Sequence, residues 1–226
     1  MKTITTVTGM IFLLFLYASP SNAILISADL NISGDELLTF DDRTNLEWLD
    51  APLSLNRSYN DLAGLDGSNE FAIGGDFEGF RLASTDEVRS LFVDTLGIPL
   101  TDFAHWAPSS YDRVLSLQSL MGVTSGGDFA EIRSITSNIF ISESGVDYHW
   151  QSFARICQNN TNAVCQNAIN TANANVNGSL INDTRSSRAT GSWLVREGVN
   201  SVPEPSVLAL MMLGLVGIGC RRYKAT

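Results

Sequence analysis

Between residues 24 and 201 this chain of 226 residues contains no lysine. Lys2 and Lys224 stand near the two ends, and the ten basic residues of 24–201 are all arginine. Lysine-based Schiff-base or phosphate chemistry is thereby excluded from the body of the chain. Histidine is nearly as scarce, with His105 and His149 each directly before a tryptophan. Cysteine occurs only as Cys157, Cys165 and Cys220, and no second Cys/His pair stands at zinc-ligand spacing. Charged residues make up 17% and leave a net charge of −10, so the basic surface that nucleic acid requires is missing. The sequence also has no Gly-x-Ser-x-Gly elbow, no phosphate-binding P-loop and no His-Glu-x-x-His helix. What is present is apolar: 44% hydrophobic residues, with 4 Trp, 5 Tyr and 11 Phe, enough for a folded core. The length suits one domain with processing segments at its ends.

Lys2 precedes the apolar run Met10 to Ala18, and Ser19-Pro20-Ser21-Asn22-Ala23 follows, with small residues at the −3 and −1 positions. This three-part plan predicts a secretory signal peptide over 1–23, cleaved after Ala23. The apolar run is short for a membrane span of about 20 residues, which sets aside an uncleaved anchor. At the other end Val202-Pro203-Glu204-Pro205 precedes an apolar run over about 207–220, and Arg221-Arg222 follows it. The prolines stop the helix from extending upstream. The basic pair holds the far end in the cytoplasm, which places the body outside.

Pro203-Glu204-Pro205, a Gly-rich apolar helix and Arg221-Arg222, in this order at the C-terminal end, resemble the PEP-CTERM sorting signal of Gram-negative bacteria. The resemblance covers roughly the last 25 residues. It implies processing near Pro-Glu-Pro by a membrane-embedded exosortase, after use of the secretion machinery. The protein would be anchored in the membrane only before that cut, and would then pass to the cell surface or the extracellular biofilm matrix. Val202, Pro203, Glu204, Pro205, Arg221 and Arg222 would carry the signal, with residues 198–201 as a linker.

Without these ends the body, 24–201, carries a net charge of −13. Cys157 and Cys165 are its only cysteines, and in an exported domain one disulfide between them is the simplest expectation. A catalytic cysteine is the alternative.

The body reads as an α+β domain over 24–197. Strand patterns start at Ile24-Leu25-Ile26 and Leu37 to Phe40, and a turn over Asp41 to Asn45 leads to a return strand at Leu46 to Leu49. Ser58 and Ser84 read as helix N-caps, with Ser84 and Glu87 forming a capping box and Val88, Leu91 and Phe92 a buried stripe. Phe77 to Ala83 reads as a strand, Val114 to Met121 as a helix ended by Gly122, and Ile132 to Ile141 as one or two strands. Residues 158–182 hold nine asparagines and suit either a low-complexity loop or an alanine-driven helix. Trp193 to Arg196 reads as a closing strand.

The blocks Leu38-Thr39-Phe40-Asp41, Leu46-Glu47-Trp48 and Phe77-Glu78-Gly79-Phe80-Arg81-Leu82-Ala83-Ser84 are similar to a recurrent ectodomain of PEP-CTERM proteins. They also resemble the DUF1566 group. That resemblance implies a C-type-lectin-like mixed fold in which the first and last strands pair, bringing Ile24–Ile26 beside Trp193–Val195. Phe80 stands where that group has Trp, and Ala83-Ser84 replaces Pro-Thr. No Glu-Pro-Asn or Trp-Asn-Asp motif occurs in the body, so lectin calcium chemistry does not carry over.

The remaining candidates are side chains with ordinary structural uses as well. Asp35-Glu36, Asp41-Asp42 and Asp76 with Glu78 offer hard oxygen ligands for calcium, but none has the spacing of a known loop. Asp61 and Glu87 fit helix-start positions better than acid–base roles. Trp106, Tyr111, Tyr148 and Trp150 are the aromatic residues placed to stack on sugars, or to fill the core. No metal or cofactor is expected. The reading is a non-catalytic surface or matrix protein associated with exopolysaccharide. The alternatives are an exported glycan hydrolase using paired carboxylates and a purely structural matrix protein without a ligand.

Overall fold

The computed structural model describes residues 24–198, apart from 68, 102–105, 127–128, 158–164 and 166–169. The expected signal peptide, His105, the sorting residues from Val202 to Arg222 and the expected membrane helix lie outside the described residues. So does most of the linker. Among the described residues no helix is long and apolar enough to cross a membrane.

The first sheet is built on a hairpin. Strand β2 (Leu38–Asp41) turns back into β3 (Leu46–Leu49), and their register pairs Thr39 with Trp48. Asp41 shapes the turn, because its Oδ1 accepts the Arg43 N–H at 3.1 Å. Strand β1 (Leu25–Ala28) pairs antiparallel with β2 at the sheet edge. Short β4 (Arg81–Leu82) and final β9 (Leu194–Glu197) complete the order β1-β2-β3-β9-β4. The second sheet is a meander of three long strands, β5 (Phe129–Ile141), β6 (Asp147–Cys157) and β7 (Ala172–Asn182). Two-residue β8 (Gly191–Ser192) runs parallel to β5 and gives the order β7-β6-β5-β8.

Among the described residues three α-helices lie between the strands, and local chemistry that the sequence displays starts two of them. Helix α1 (Tyr59–Ala63) and helix α2 (Thr85–Ser90) both begin with a reciprocal capping box, Ser58 with Asp61 and Ser84 with Glu87. Arg81 holds Glu87 at 2.6 Å, tying β4 to the start of α2. Helix α3 (Tyr111–Met121) stops at Gly122, whose φ of 71° is left-handed. A Cβ there would lie 2.7 Å from the ring of Pro52.

The segment Gly191–Glu197 joins the two sheets. Between β8 and β9, Trp193 donates its N–H to the Ile135 carbonyl at 3.0 Å and accepts the Ala83 N–H at 2.7 Å. Its ring meets Trp48 edge-on at 6.0 Å and Phe92 at 5.7 Å, and all three are fully buried. Val88, Leu91, Val114, Leu117, Ile132, Ala154 and Ile156 complete this core. Alanines 172 and 174 on β7 face it too, and their small side chains let the helices approach the sheet closely. Both ends of the described body meet at the β2–β3 turn. Ile24 N–H donates to Asp42 at 2.7 Å, and Gly198 N–H donates to the Asn45 carbonyl at 2.8 Å.

Three expectations need correction. The first and last strands share a sheet but do not pair; β9 lies between β3 and β4, with Trp48 opposite Val195. The β2–β3 hairpin fills the place the first strand was expected to take. Over 77–83 only Arg81 and Leu82 are strand, because Phe77 to Phe80 form a turn closed by the Phe80 N–H on the Phe77 carbonyl. Residues 172–182 are neither loop nor helix but the long strand β7.

Candidate functional site

From Tyr148 to Gln151 strand β6 pairs with β7 in unbroken register, so these side chains alternate between the two faces of the second sheet. Tyr148 and Trp150 share one face; His149 and Gln151 share the other and are buried. Register extends the first set across neighbouring strands. Phe140 on β5 stands directly opposite Tyr148, and Leu180 on β7 stands opposite Trp150. Cross-strand partners place their side chains about 5 Å apart, and Tyr148 and Trp150 are about 7 Å apart along the strand. Phe140 is 46% exposed and Leu180 37%, with the two larger rings half-buried between them. The result is a contiguous apolar and aromatic surface on an open sheet face, with the Asn182 position beside Tyr148. Flat rings in this arrangement can stack against the C–H faces of sugar rings.

The other two predicted aromatics are elsewhere. Trp106 covers the guanidinium of Arg155 at 4.9 Å, and Phe153 holds the same group at 4.6 Å. Trp106 is thus engaged with Arg155, five positions along β6 from Trp150. Tyr111 packs against the main core at the start of α3. The structure thus unites Tyr148 with Trp150 and separates both from Trp106 and Tyr111.

Directly beneath the aromatic face, on the inner side of β6, lies a polar cluster. His149 is 2% exposed and stacks on Tyr59 with ring centres 4.0 Å apart. Its Nδ1–H donates to the Thr136 carbonyl at 2.6 Å, which leaves Nε2 facing Asp183 at 3.7 Å. Burial pushes the Asp183 carboxyl above its usual range; His149 opposes that shift and Asp147 adds to it. Arg57, Tyr59, Asp183, Arg185 and Thr190 line a cavity here of about 10 Å³, room for about one water molecule. Nothing in the sequence signals the pairing of His149 with Asp183, which the β6–β7 register brings about.

The carboxylates considered for calcium have structural partners. Asp35 accepts backbone N–H groups from Leu30, Asn31, Ile32 and Leu37, and these donors, Ile32 foremost, draw its carboxyl down to about 2. Asp41 accepts from the Thr95 hydroxyl as well as from Arg43, and Asp42 from Ile24. Asp76 pairs with Arg57 at 2.8 Å, and Glu78 accepts the Gly74 N–H at 2.8 Å. Glu36 adopts a left-handed φ of 51° in the same loop as Asp35. Among the described residues no three His, Cys, Asp or Glu side chains converge on a metal position. Cys157, at the end of β6, is bonded to Cys165. Their Cα atoms are 5.5 Å apart, within the usual range for a disulfide.

No curated protein and no solved structure matches the chain. One family model does match, that of the PEP-CTERM protein-sorting motif, over residues 201–222. The match takes in Pro203-Glu204-Pro205, the apolar run and Arg221-Arg222. By that signal the chain is an exosortase-targeted, surface-directed extracellular protein carrying the PEP-CTERM sorting motif.

Proposed function

We propose that the exported body is a non-catalytic binding component of the cell surface or extracellular matrix, and that it holds exopolysaccharide on the face formed by Phe140, Tyr148, Trp150 and Leu180. The observation that carries this reading is the register that sets four large apolar side chains on one open face of the second sheet. A soluble domain has little reason to leave such a row uncovered unless something stacks on it. A binding rather than a hydrolytic role is supported by the uses of the carboxylates: Asp61 and Glu87 cap helices, and Asp76 is held by Arg57. A lectin-like kinship belongs to the same proposal; the return of β9 beside the N-terminal hairpin supports it.

The test is co-sedimentation of the exported protein with exopolysaccharide from the producing cells. Replacing both Tyr148 and Trp150 by Ala is expected to lower affinity at least about tenfold, from the loss of two stacking rings. Binding unchanged in that variant would overturn the reading, as would release of new reducing ends from the polysaccharide by the native protein.

A further inference from the structure

We propose that Thr190 and Gln151 join in an intramolecular ester bond, which the folded protein forms by itself with loss of ammonia. The bond is independent of the glycan-binding role above. Five side chains supply the chemistry, brought together by the β6–β7 register and by the approach of the chain to β8.

Gln151 on β6 and Thr190, directly before β8, are each only 6% exposed. The Gln151 amide donates to the Thr190 hydroxyl at 3.5 Å, the long limit of a hydrogen bond and close to the approach of reacting atoms. The amide oxygen accepts the Ser179 hydroxyl at 2.5 Å. Ser179 stands opposite Gln151 on β7, so register sets its place. His149 lies two positions before Gln151 on the same buried face of β6. Its Nδ1–H is spent on the Thr136 carbonyl, so Nε2 carries the lone pair. His149, Asp183 and Thr190 line one cavity of about 10 Å³, so a base stands across the space of one water molecule from the hydroxyl. Nε2 and the Asp183 Oδ1 face each other at 3.7 Å, both without a hydrogen-bond partner among the described residues. Two such acceptors side by side become a favourable pair once Nε2 takes up a proton.

His149 Nε2 takes the proton of Thr190 Oγ1, and that oxygen attacks Gln151 Cδ. The tetrahedral intermediate carries its negative charge on Oε1, where the Ser179 hydroxyl already points. Asp183 meanwhile stabilises the imidazolium. Collapse breaks the bond from Cδ to the amide nitrogen, and the imidazolium returns its proton to that nitrogen, which leaves as ammonia. One C–O bond forms, one C–N bond breaks, and no oxidant or cofactor is consumed. Holding the two groups side by side supplies an effective concentration of about 10⁵ M or more, and burial shields the ester from water. The body has no lysine to form an amide link with glutamine, so a hydroxyl is the nucleophile it has to offer. The bond closes a loop across a separation of 39 residues and fastens an interior strand of the second sheet to the segment that leads into β9.

The test is mass spectrometry of the exported protein collected from outside the producing cells. The intact body should be about 17 Da lighter than its disulfide-bonded sequence, and digestion should yield the peptides of Gln151 and Thr190 as one linked species. Mild alkali should separate them and leave glutamate at position 151. Thr190→Val removes the nucleophile at nearly constant shape and should abolish the loss, whereas Thr190→Ser should retain it. His149→Asn, whose amide can still donate to the Thr136 carbonyl, should slow bond formation in refolded protein at least about a hundredfold.

Unlinked peptides with an intact Gln151 amide as the main species of the native protein overturn the proposal, even where a variant fails to fold. A loss of about 17 Da that persists in Thr190→Val, or that maps to Asn177-Gly178 as a succinimide, overturns it too. Bond formation at the native rate in His149→Asn overturns the part of His149 as the base.

Discussion

Asp50 carries a measurable penalty at neutral pH. It follows β3, donates its N–H to the Leu37 carbonyl at 3.1 Å and accepts the Leu53 N–H at 3.1 Å. Its side chain is half-buried, and Oδ1 has no hydrogen-bond partner among the described residues. Burial first, and the negative charge of Asp35 second, push its carboxyl up from 3.8 to about 6. Asp35 keeps that charge to low pH, because its backbone donors hold it ionised. In the unfolded chain Asp50 loses its proton near 3.8, whereas the folded protein holds it until about 6. Between these values the folded state binds the extra proton, so Asp50 makes stability fall as pH rises from about 4 to about 6. At neutral pH the full difference corresponds to about 3 kcal/mol, and solvent screening of a half-buried group reduces this to about 1.5 kcal/mol. Asp50→Asn removes the charge while keeping shape and backbone bonds. Urea denaturation of the two proteins should show the variant more stable by about 1.5 kcal/mol at pH 7.5 and equal to the parent at about pH 3.5. A stability difference that is the same at both pH values would refute the assignment, since only ionisation changes between them.

Gly191→Ala should cost about 1–3 kcal/mol in the same assay, because its Cβ would lie 2.5 Å from the Ala51 carbonyl oxygen and 2.9 Å from Ser54 Oγ; a change below about 0.5 kcal/mol would contradict that close approach. Replacing Cys157 and Cys165 by Ser opens a loop closed across a separation of 8 residues. It should lower stability by about 2.5 kcal/mol on the chain-entropy account. Non-reduced peptide mapping should show the linked pair in the parent protein, and free thiols there would count against it. Changing Pro203 and Glu204 to Ala should leave the protein full-length and membrane-held; normal release at normal mass would remove those residues from the processing signal.

Local signals in the sequence were the most legible. The Ser84–Glu87 box, the turn at Asp41 to Asn45 and the stop at Gly122 are each decided by a few adjacent residues. Strand β7 was misread, because composition was weighed above pattern. Ala172-Asn173-Ala174-Asn175-Val176-Asn177 alternates strictly, the mark of a strand with one buried face, although neither alanine nor asparagine favours strands. Composition pointed to loop or helix, and the tertiary need for small side chains under the helices prevailed. The pairing of β9 with β3 could not be read locally, because it joins positions about 150 residues apart through the core around Trp193. The aromatic face was half legible. Tyr148 and Trp150 follow from alternation within one strand, whereas Phe140 and Leu180 join them only through cross-strand register.

The segment that passes from the second sheet into the first also has a mechanical consequence. When the C-terminal segment is fixed to a membrane, drag on the body enters at Gly198 and pulls along the axis of β9. That strand is flanked by β3 and β4, so its ladder bonds on both sides are strained together in shear instead of being peeled one by one. Upstream, Trp193 and β8 transmit the pull to Ile135 and Ser134 of the second sheet, which shares the load. How long the fold survives such tension depends on its unfolding rate more than on its equilibrium stability. Anchoring through β9 puts the strain on the two ladders that must break together, and leaves the edge strand β1 out of the path.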